Sequence, residues 1–142
     1  MTAHEKSLPE NSVSQELFKA WNARDYDRIQ ALITEDVAWH NTPTDTRGQG
    51  RETYRQMVQA WHNAMPDNQV EIRNLIVTDE WEVVEAVGHA THSGPLAGPI
   101  GRGPASGRSV DIHFCMINHI RDGKIDRCSG YLDMTSLMGG RE

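Results

Sequence analysis

The side chains best suited to chemistry lie near the end of this 142-residue chain, where Ser129, Tyr131 and Asp133 alternate along a run that begins at Lys124. Successive residues of a strand point to opposite sides, so these three share one face. If that face is interior, Asp133 is a carboxylate among apolar neighbours. Burial disfavours its charged form and raises its pKa, which makes a general acid/base matched to the operating pH, with Tyr131 and Ser129 as orienting donors. The same residue also reads as a cap, because Asp133-Met134-Thr135-Ser136 has the form of a helix start, or as an ion-pair partner of Arg127 or another arginine.

Register decides between these readings. Asp122-Gly123 between two alternating runs is a two-residue hairpin signal, since a type I′ turn needs positive φ at both central positions. Pairing outward from it sets Arg121 opposite Lys124, Ile120 opposite Ile125, Asn118 opposite Arg127, Met116 opposite Ser129, Phe114 opposite Tyr131 and Ile112 opposite Asp133. That face carries Ile112, Phe114, Met116, Ile120, Ile125 and Tyr131 with a few polar groups among them, the composition of a ligand pocket. It is assigned to the interior, which adds Phe114 and Met116 to the candidate binding residues.

Other candidates come from elsewhere in the chain. Trp39 and Asn41 alternate on a first strand, and Trp61 and Met65 lie four apart on a helix; they form either a wall on which a planar ring stacks or plain core. His92 sits in Thr91-His92-Ser93-Gly94, expected near the pocket mouth, and is a binding residue or a hydrogen-bonded structural histidine. Seven histidines invite a metal reading, but His89 and His92 fall on opposite strand faces and no His/carboxylate set converges, so no metal is expected. Gly101, Gly103 and Gly107 fail the spacing of a phosphate loop. Cys115 and Cys128 are expected to be reduced and not on the face of Asp133.

The elements that must position these groups follow from periodicity. Val13, Leu17, Ala20 and Trp21 recur at helical spacing after a Ser12/Gln15 capping box; Asp25 caps a second stripe of Tyr26, Ile29, Leu32 and Ile33. Val37 to Asn41 is a short strand and Thr42 to Gly50 a loop. Tyr54, Met57, Val58 and Trp61 mark a third helix, closed by Pro66. Gln69 to Thr78 and Trp81 to Ser93 are strands. Five glycines and three prolines among residues 94–108 exclude a regular ladder, leaving a long loop that serves as lid or as plain connection. Ser109 to Arg121 and Lys124 to Asp133 complete a sheet, with a final turn over Met134 to Met138. Helices first and antiparallel strands afterwards predict one α+β domain over residues 1–142, with 1–11 a flexible tail and the sheet curved around the helices as a cone with a pocket.

Composition narrows the partners. Lys and Arg total 14 against 20 for Asp and Glu, a net charge of -6, which argues against nucleic acid and anionic membrane. The apolar runs are too short for a membrane span, and the first residues lack the apolar stretch of a secretory signal, so a cytoplasmic protein is expected.

Met65-Pro66-Asp67, Thr91-His92-Ser93-Gly94-Pro95-Leu96, Pro104-Ala105-Ser106-Gly107-Arg108 and Asp122-Gly123-Lys124-Ile125 followed by Asp133 resemble the SnoaL-like polyketide cyclases, of the nuclear-transport-factor-two-like fold, from Ser12 to Met138. The resemblance implies a curved α+β barrel enclosing a pocket, no metal or organic cofactor, an aromatic or polyketide small-molecule substrate, and a homodimer or homotetramer built on the outer sheet face. It further implies that Asp133 acts as general acid/base in an intramolecular aldol ring closure. Related proteins hydroxylate polyketides or open epoxides, and the fold is also used for non-catalytic ligand binding and dimerisation. The chain departs from the family at Ser129, often tryptophan in relatives, and at Leu137-Met138-Gly139-Gly140, where relatives carry Gln-Leu-Gly.

Overall fold

The computed structural model describes residues 12–135 and 137. The expected N-terminal tail lies outside these residues, and the expected turn over Met134 to Met138 lies partly outside them. Two helices open the described chain: α1 (Val13–Ala23) and α2 (Tyr26–Ala31). As the capping box predicts, the Ser12 hydroxyl accepts the Gln15 N–H at 3.1 Å. The next orphan donors of α1 are met from the sheet, where Glu82 accepts the Ser14 N–H at 2.7 Å and the Val13 N–H at 3.3 Å. Asp25 caps α2 by accepting the Arg28 N–H.

The first strand is longer than its apolar run. β1 (Ile33–Asn41) starts before the expected Val37, taking in Ile33, assigned from the sequence to the second helix, and the polar Thr34-Glu35-Asp36; this stretch spans an irregularity in the pairing between Ile33 and Ala38. The expected loop Thr42 to Gly50 contains a further strand, β2 (Thr46–Gln49), antiparallel to β1 after a turn through Asp45 at φ 51°. There Gly48 leaves room for the Trp39 indole, which a Cβ at that position would meet at 2.3 Å. Helix α3 (Arg51–Ala64) then leads to β3 (Gln69–Val77) and β4 (Trp81–Thr91). The glycine- and proline-rich connection holds a short 3₁₀ turn at Gly98–Ile100 and a bridge between Leu96 and Gly103 before β5 (Ser109–Arg121) and β6 (Lys124–Leu132).

Among the described residues the six strands form one curved sheet in the order β2-β1-β6-β5-β4-β3, antiparallel except for the β1–β6 pair. The helices cover one face, and the core fills the space between: Leu17, Phe18, Tyr54, Val58, Val84, Ile112 and Ile125 are all nearly inaccessible. This is the predicted α+β architecture.

The β5–β6 hairpin departs from its expected register in one place. Asp122 and Gly123 take φ 54° and 77°, and Arg121 faces Lys124 and Ile120 faces Ile125 as predicted. Beyond that the pairing slips: His119 faces Arg127, Asn118 faces Cys128, Met116 faces Gly130 and Phe114 faces Leu132. Asp126 is the extra residue of a β-bulge, and a one-residue slip moves every following side chain to the other face. Two contacts favour the bulge. Ile125 and Cys128, three residues apart, are both buried, which strict alternation forbids; and the Asp126 carboxylate meets His119 Nδ1 at 2.6 Å and the Arg121 guanidinium at 3.5 Å.

Candidate functional site

Between the helices and the sheet lies a cavity of about 70 Å³. Helix α1 contributes Phe18 and Trp21; β1 contributes Trp39 and Asn41; α3 contributes Tyr54, Met57 and Trp61; β5 contributes Ile112, Phe114 and Met116; and β6 contributes Cys128, Gly130 and Leu132. On β4, Gly88 lines this space without a side chain, and Ala86 on the same face carries only a methyl group. The lining is aromatic and apolar with sparse polar groups, the composition of a small-molecule pocket. The volume has room for only a few waters, and the lining residues Phe114, Met116 and Leu132 are half-buried.

The sequence-derived candidates divide between the two sides of the sheet. Trp39, Asn41, Trp61, Phe114 and Met116 line the cavity. Met65 is buried beneath α3 without lining it, and His92 is buried with its Nδ1 3.1 Å from the Ser106 hydroxyl, pinning the glycine-rich loop. Ser129, Tyr131 and Asp133 are not inside. The Asp126 bulge turns them to the outer face, where Tyr131 is 51% exposed and Asp133 is exposed. With Arg73, Glu85, His113 and Cys115, Tyr131 and Asp133 line an open groove of about 710 Å³. Arg127, also expected inside, lies outside over the Trp81 ring.

On the outer face the pKa of Asp133 is lowered, not raised as burial would have it. Its Oδ1 accepts hydrogen bonds from the Thr135 hydroxyl and the Thr135 N–H, and these bonds, with nearby His113, hold the carboxyl below the ordinary carboxylate range. The carboxylate therefore caps the following turn, the second of the roles its sequence context allows, and is ionised at neutral pH. Its Oδ2 has no hydrogen-bond partner among the described residues.

None of the cavity's described lining residues is a carboxylate, a lysine or an arginine. Burial pushes the Cys128 thiol up to about 12 and the Tyr54 phenol well above its usual value, the neighbouring sulfur adding to the latter; neither ionises at neutral pH. Trp39 donates its indole N–H to the Thr53 hydroxyl at 3.0 Å. Behind the wall, His62 meets the Tyr26 hydroxyl at 2.7 Å and stacks edge-on against Trp21 at 4.5 Å. Burial, and then the Arg24 charge, lower its pKa to about 4.

Several lining residues carried no signal in the sequence reading: Phe18, Trp21, Tyr54, Met57, Asn68, Cys128, Gly130 and Leu132. The last three could have been found by weighing β6 alone, because Cys128, Gly130 and Leu132 form its less polar alternate set and Arg127, Ser129, Tyr131 and Asp133 its more polar one.

The comparisons with known proteins agree with this architecture. A family model for the SnoaL-like polyketide cyclase matches residues 11–139. A SnoaL-like candidate cyclase from Jannaschia sp. CCS1 superposes with a TM-score of 0.80 at 21% identity, over 90% of this chain and 88% of its own. IdmH, a candidate polyketide cyclase from Streptomyces antibioticus, gives 0.76 at 21% over 89% and 94%. AclR, a candidate hydroxylase from Streptomyces galilaeus, gives 0.74 at 21% over 89% and 76%. At these identities the likeness is one of fold. No curated protein matches the sequence.

Proposed function

Since the chain belongs to the SnoaL-like polyketide cyclase family, we propose that it closes a ring in an aromatic polyketide-type substrate by intramolecular aldol condensation, without a cofactor. The inner cavity takes the planar, apolar part of the molecule and the end of β6 supplies the proton transfer. One observation carries this reading: Phe114 and Leu132 line both the inner cavity and the outer groove, so the strand end that carries Asp133 borders both.

In this scheme the Asp133 carboxylate acts from the rim. Its Oδ1 is tied to Thr135, which fixes the group's orientation, and Oδ2 is left to accept a proton. A carboxylate of low pKa is a weak base, so the reaction requires a carbon acid flanked by carbonyls, which polyketide chains contain. The proton passes from that carbon to Oδ2, the resulting enolate attacks an aldehyde or ketone of the same molecule, and the proton returns to the new alkoxide. Confinement of the chain supplies most of the acceleration, and the positioned base about 10²–10⁴-fold.

Asp133→Asn is expected to lower kcat by that factor with KM little changed, and the acid limb of the wild-type profile should fall below the usual carboxylate range. Unchanged kcat in the variant would contradict the assignment. Oxygen uptake with labelled oxygen in the product would replace ring closure by hydroxylation, the activity named for AclR. The outer face, with Trp81 and Tyr131 exposed, is proposed as the contact between copies in a homo-oligomer, which sedimentation of Tyr131→Glu against wild type tests.

A further inference from the structure

Asn68 is a buried amide whose orientation is fixed. It is 4% exposed and lines the inner cavity. Its Oδ1 accepts the Trp21 indole N–H at 2.7 Å. An indole nitrogen can only donate, so the amide oxygen must face it and the NH₂ group must face the other way. That group has no hydrogen-bond partner among the described residues. The backbone on either side is held as firmly: the Asn68 N–H donates to the Met65 carbonyl at 3.0 Å, and the Asn68 carbonyl accepts from the Arg24 guanidinium at 2.7 Å.

The sheet makes room for this amide. Gly88, on the inner face of β4, lines the same cavity. A Cβ at that position would sit 3.3 Å from Asn68 Nδ2, tighter than an ordinary contact, so the amide occupies the place of a missing side chain. Trp21 is held in turn by the edge of His62, itself bound by Tyr26. The result is a donor set by a chain of ring contacts and aimed into a space that offers it nothing to bind.

We propose that Asn68 is the residue that recognises a substrate carbonyl in the inner cavity, Nδ2 donating to its oxygen, with Trp21 as the positioning residue. This rests on the reading of that cavity as the substrate chamber. The ligand class is a planar aromatic ketone. When a proton passes from the carbon next to the carbonyl to the proposed base, Asp133, the C–H electron pair forms a C=C bond and the C=O π pair moves onto this oxygen. The same hydrogen bond then strengthens as charge develops, from a donor already oriented by Trp21.

The test uses 9-fluorenone, a planar ketone that cannot enolise, bound to the full-length protein and followed by the infrared stretch of its carbonyl. Bound to wild type, the band is expected to move to lower frequency than when bound to Asn68→Leu, and affinity should fall about tenfold in the variant. Trp21→Phe, which frees the amide to turn, should broaden the band and lose most of the shift while thermal unfolding shows the fold intact. If Asn68→Leu does not fold, Gly88→Ala decides instead: its methyl displaces the amide and should diminish the shift. Fluorenone that binds with the same band position in wild type and in the variants overturns the role of Asn68 and leaves the chamber standing. Fluorenone that does not bind wild type overturns both.

Discussion

The two faces of one sheet treat their polar groups in opposite ways. Inside, polar side chains are tied to the helices: Glu82 caps α1, Asn118 donates to the Ser14 hydroxyl at 2.8 Å, and Asn68, just before β3, accepts from Trp21. On the outer face the charges pair with one another. His89 lies 3.0 Å from Glu71 and 2.8 Å from Asp111, and His119 lies between Asp126 and Glu80. The histidines record the contrast. Burial depresses inner His62 to about 4, whereas the hydrogen bonds that outer His89 donates to Glu71 and Asp111 raise its pKa. The pKa of Asp133, on the outer face, is lowered by the hydrogen bonds it accepts from Thr135 and not raised by burial.

What separates the faces along β6 is a single extra residue, and adding another is the most severe way to break the comparison. Deleting Asp126 leaves Ile125 and Cys128 two apart and both inside, whereas an alanine inserted between Arg127 and Cys128 shifts the alternation by one, turning Ser129 and Tyr131 inward and expelling Cys128, Gly130 and Leu132. Polar groups buried in place of apolar ones are costly enough to erase the stability of a small domain; the expected outcome for the insertion is loss of the cooperative unfolding transition, followed by circular dichroism.

Glu82→Ala comes next. It leaves the first N–H groups of α1 unsatisfied in a buried place, and denaturant titration should show a loss of about 2–3 kcal/mol. A deletion of equal size outside, such as Glu71→Ala, should be indistinguishable from wild type because that carboxylate pairs in solvent.

The smallest effect sharpens the contrast between histidines. His62 is held neutral when folded but titrates near 6.5 when unfolded, so the unfolded chain binds more protons between pH 6.5 and about 4. Stability from this group is present above 6.5 and declines as pH falls through that window. For His89 the folded pKa is raised, so its contribution is complete below 6.5 and is lost as pH rises through the folded value. His62→Gln should flatten the acid side of a stability profile and His89→Gln, more weakly, the alkaline side. Unfolding measured at closely spaced pH values checks both signs.

Much of this architecture is legible in the chain because local signals agree with it. Ser12 and Gln15 announce the start of α1, and Asp122-Gly123 sets a turn whose φ values the structure reproduces. The inner face of β5 is also legible, since Ile112, Phe114 and Met116 repeat with period two. The bulge is not: nothing at Asp126 itself distinguishes an extra residue from a paired one. Its cause lies in the burial of both Ile125 and Cys128 against elements distant in sequence. Extending the hairpin register past that point carried Ser129, Tyr131 and Asp133 to the wrong side. β2 is hidden for a simpler reason, since four residues between Pro43 and Gly50 are too few to show alternation. Asn68 shows no signal because its orientation comes from Trp21, 47 residues earlier.

The account stands on which face of β6 meets the ligand, and two adjacent positions decide it. Fluorenone titrated against tryptophan emission reports on the cavity, where Trp21, Trp39 and Trp61 lie. Gly130→Val places its side chain in the cavity and should abolish quenching, while Ser129→Val, one residue away and on the other side, should leave the binding curve unchanged. Loss of binding in Ser129→Val with retention in Gly130→Val would contradict the account.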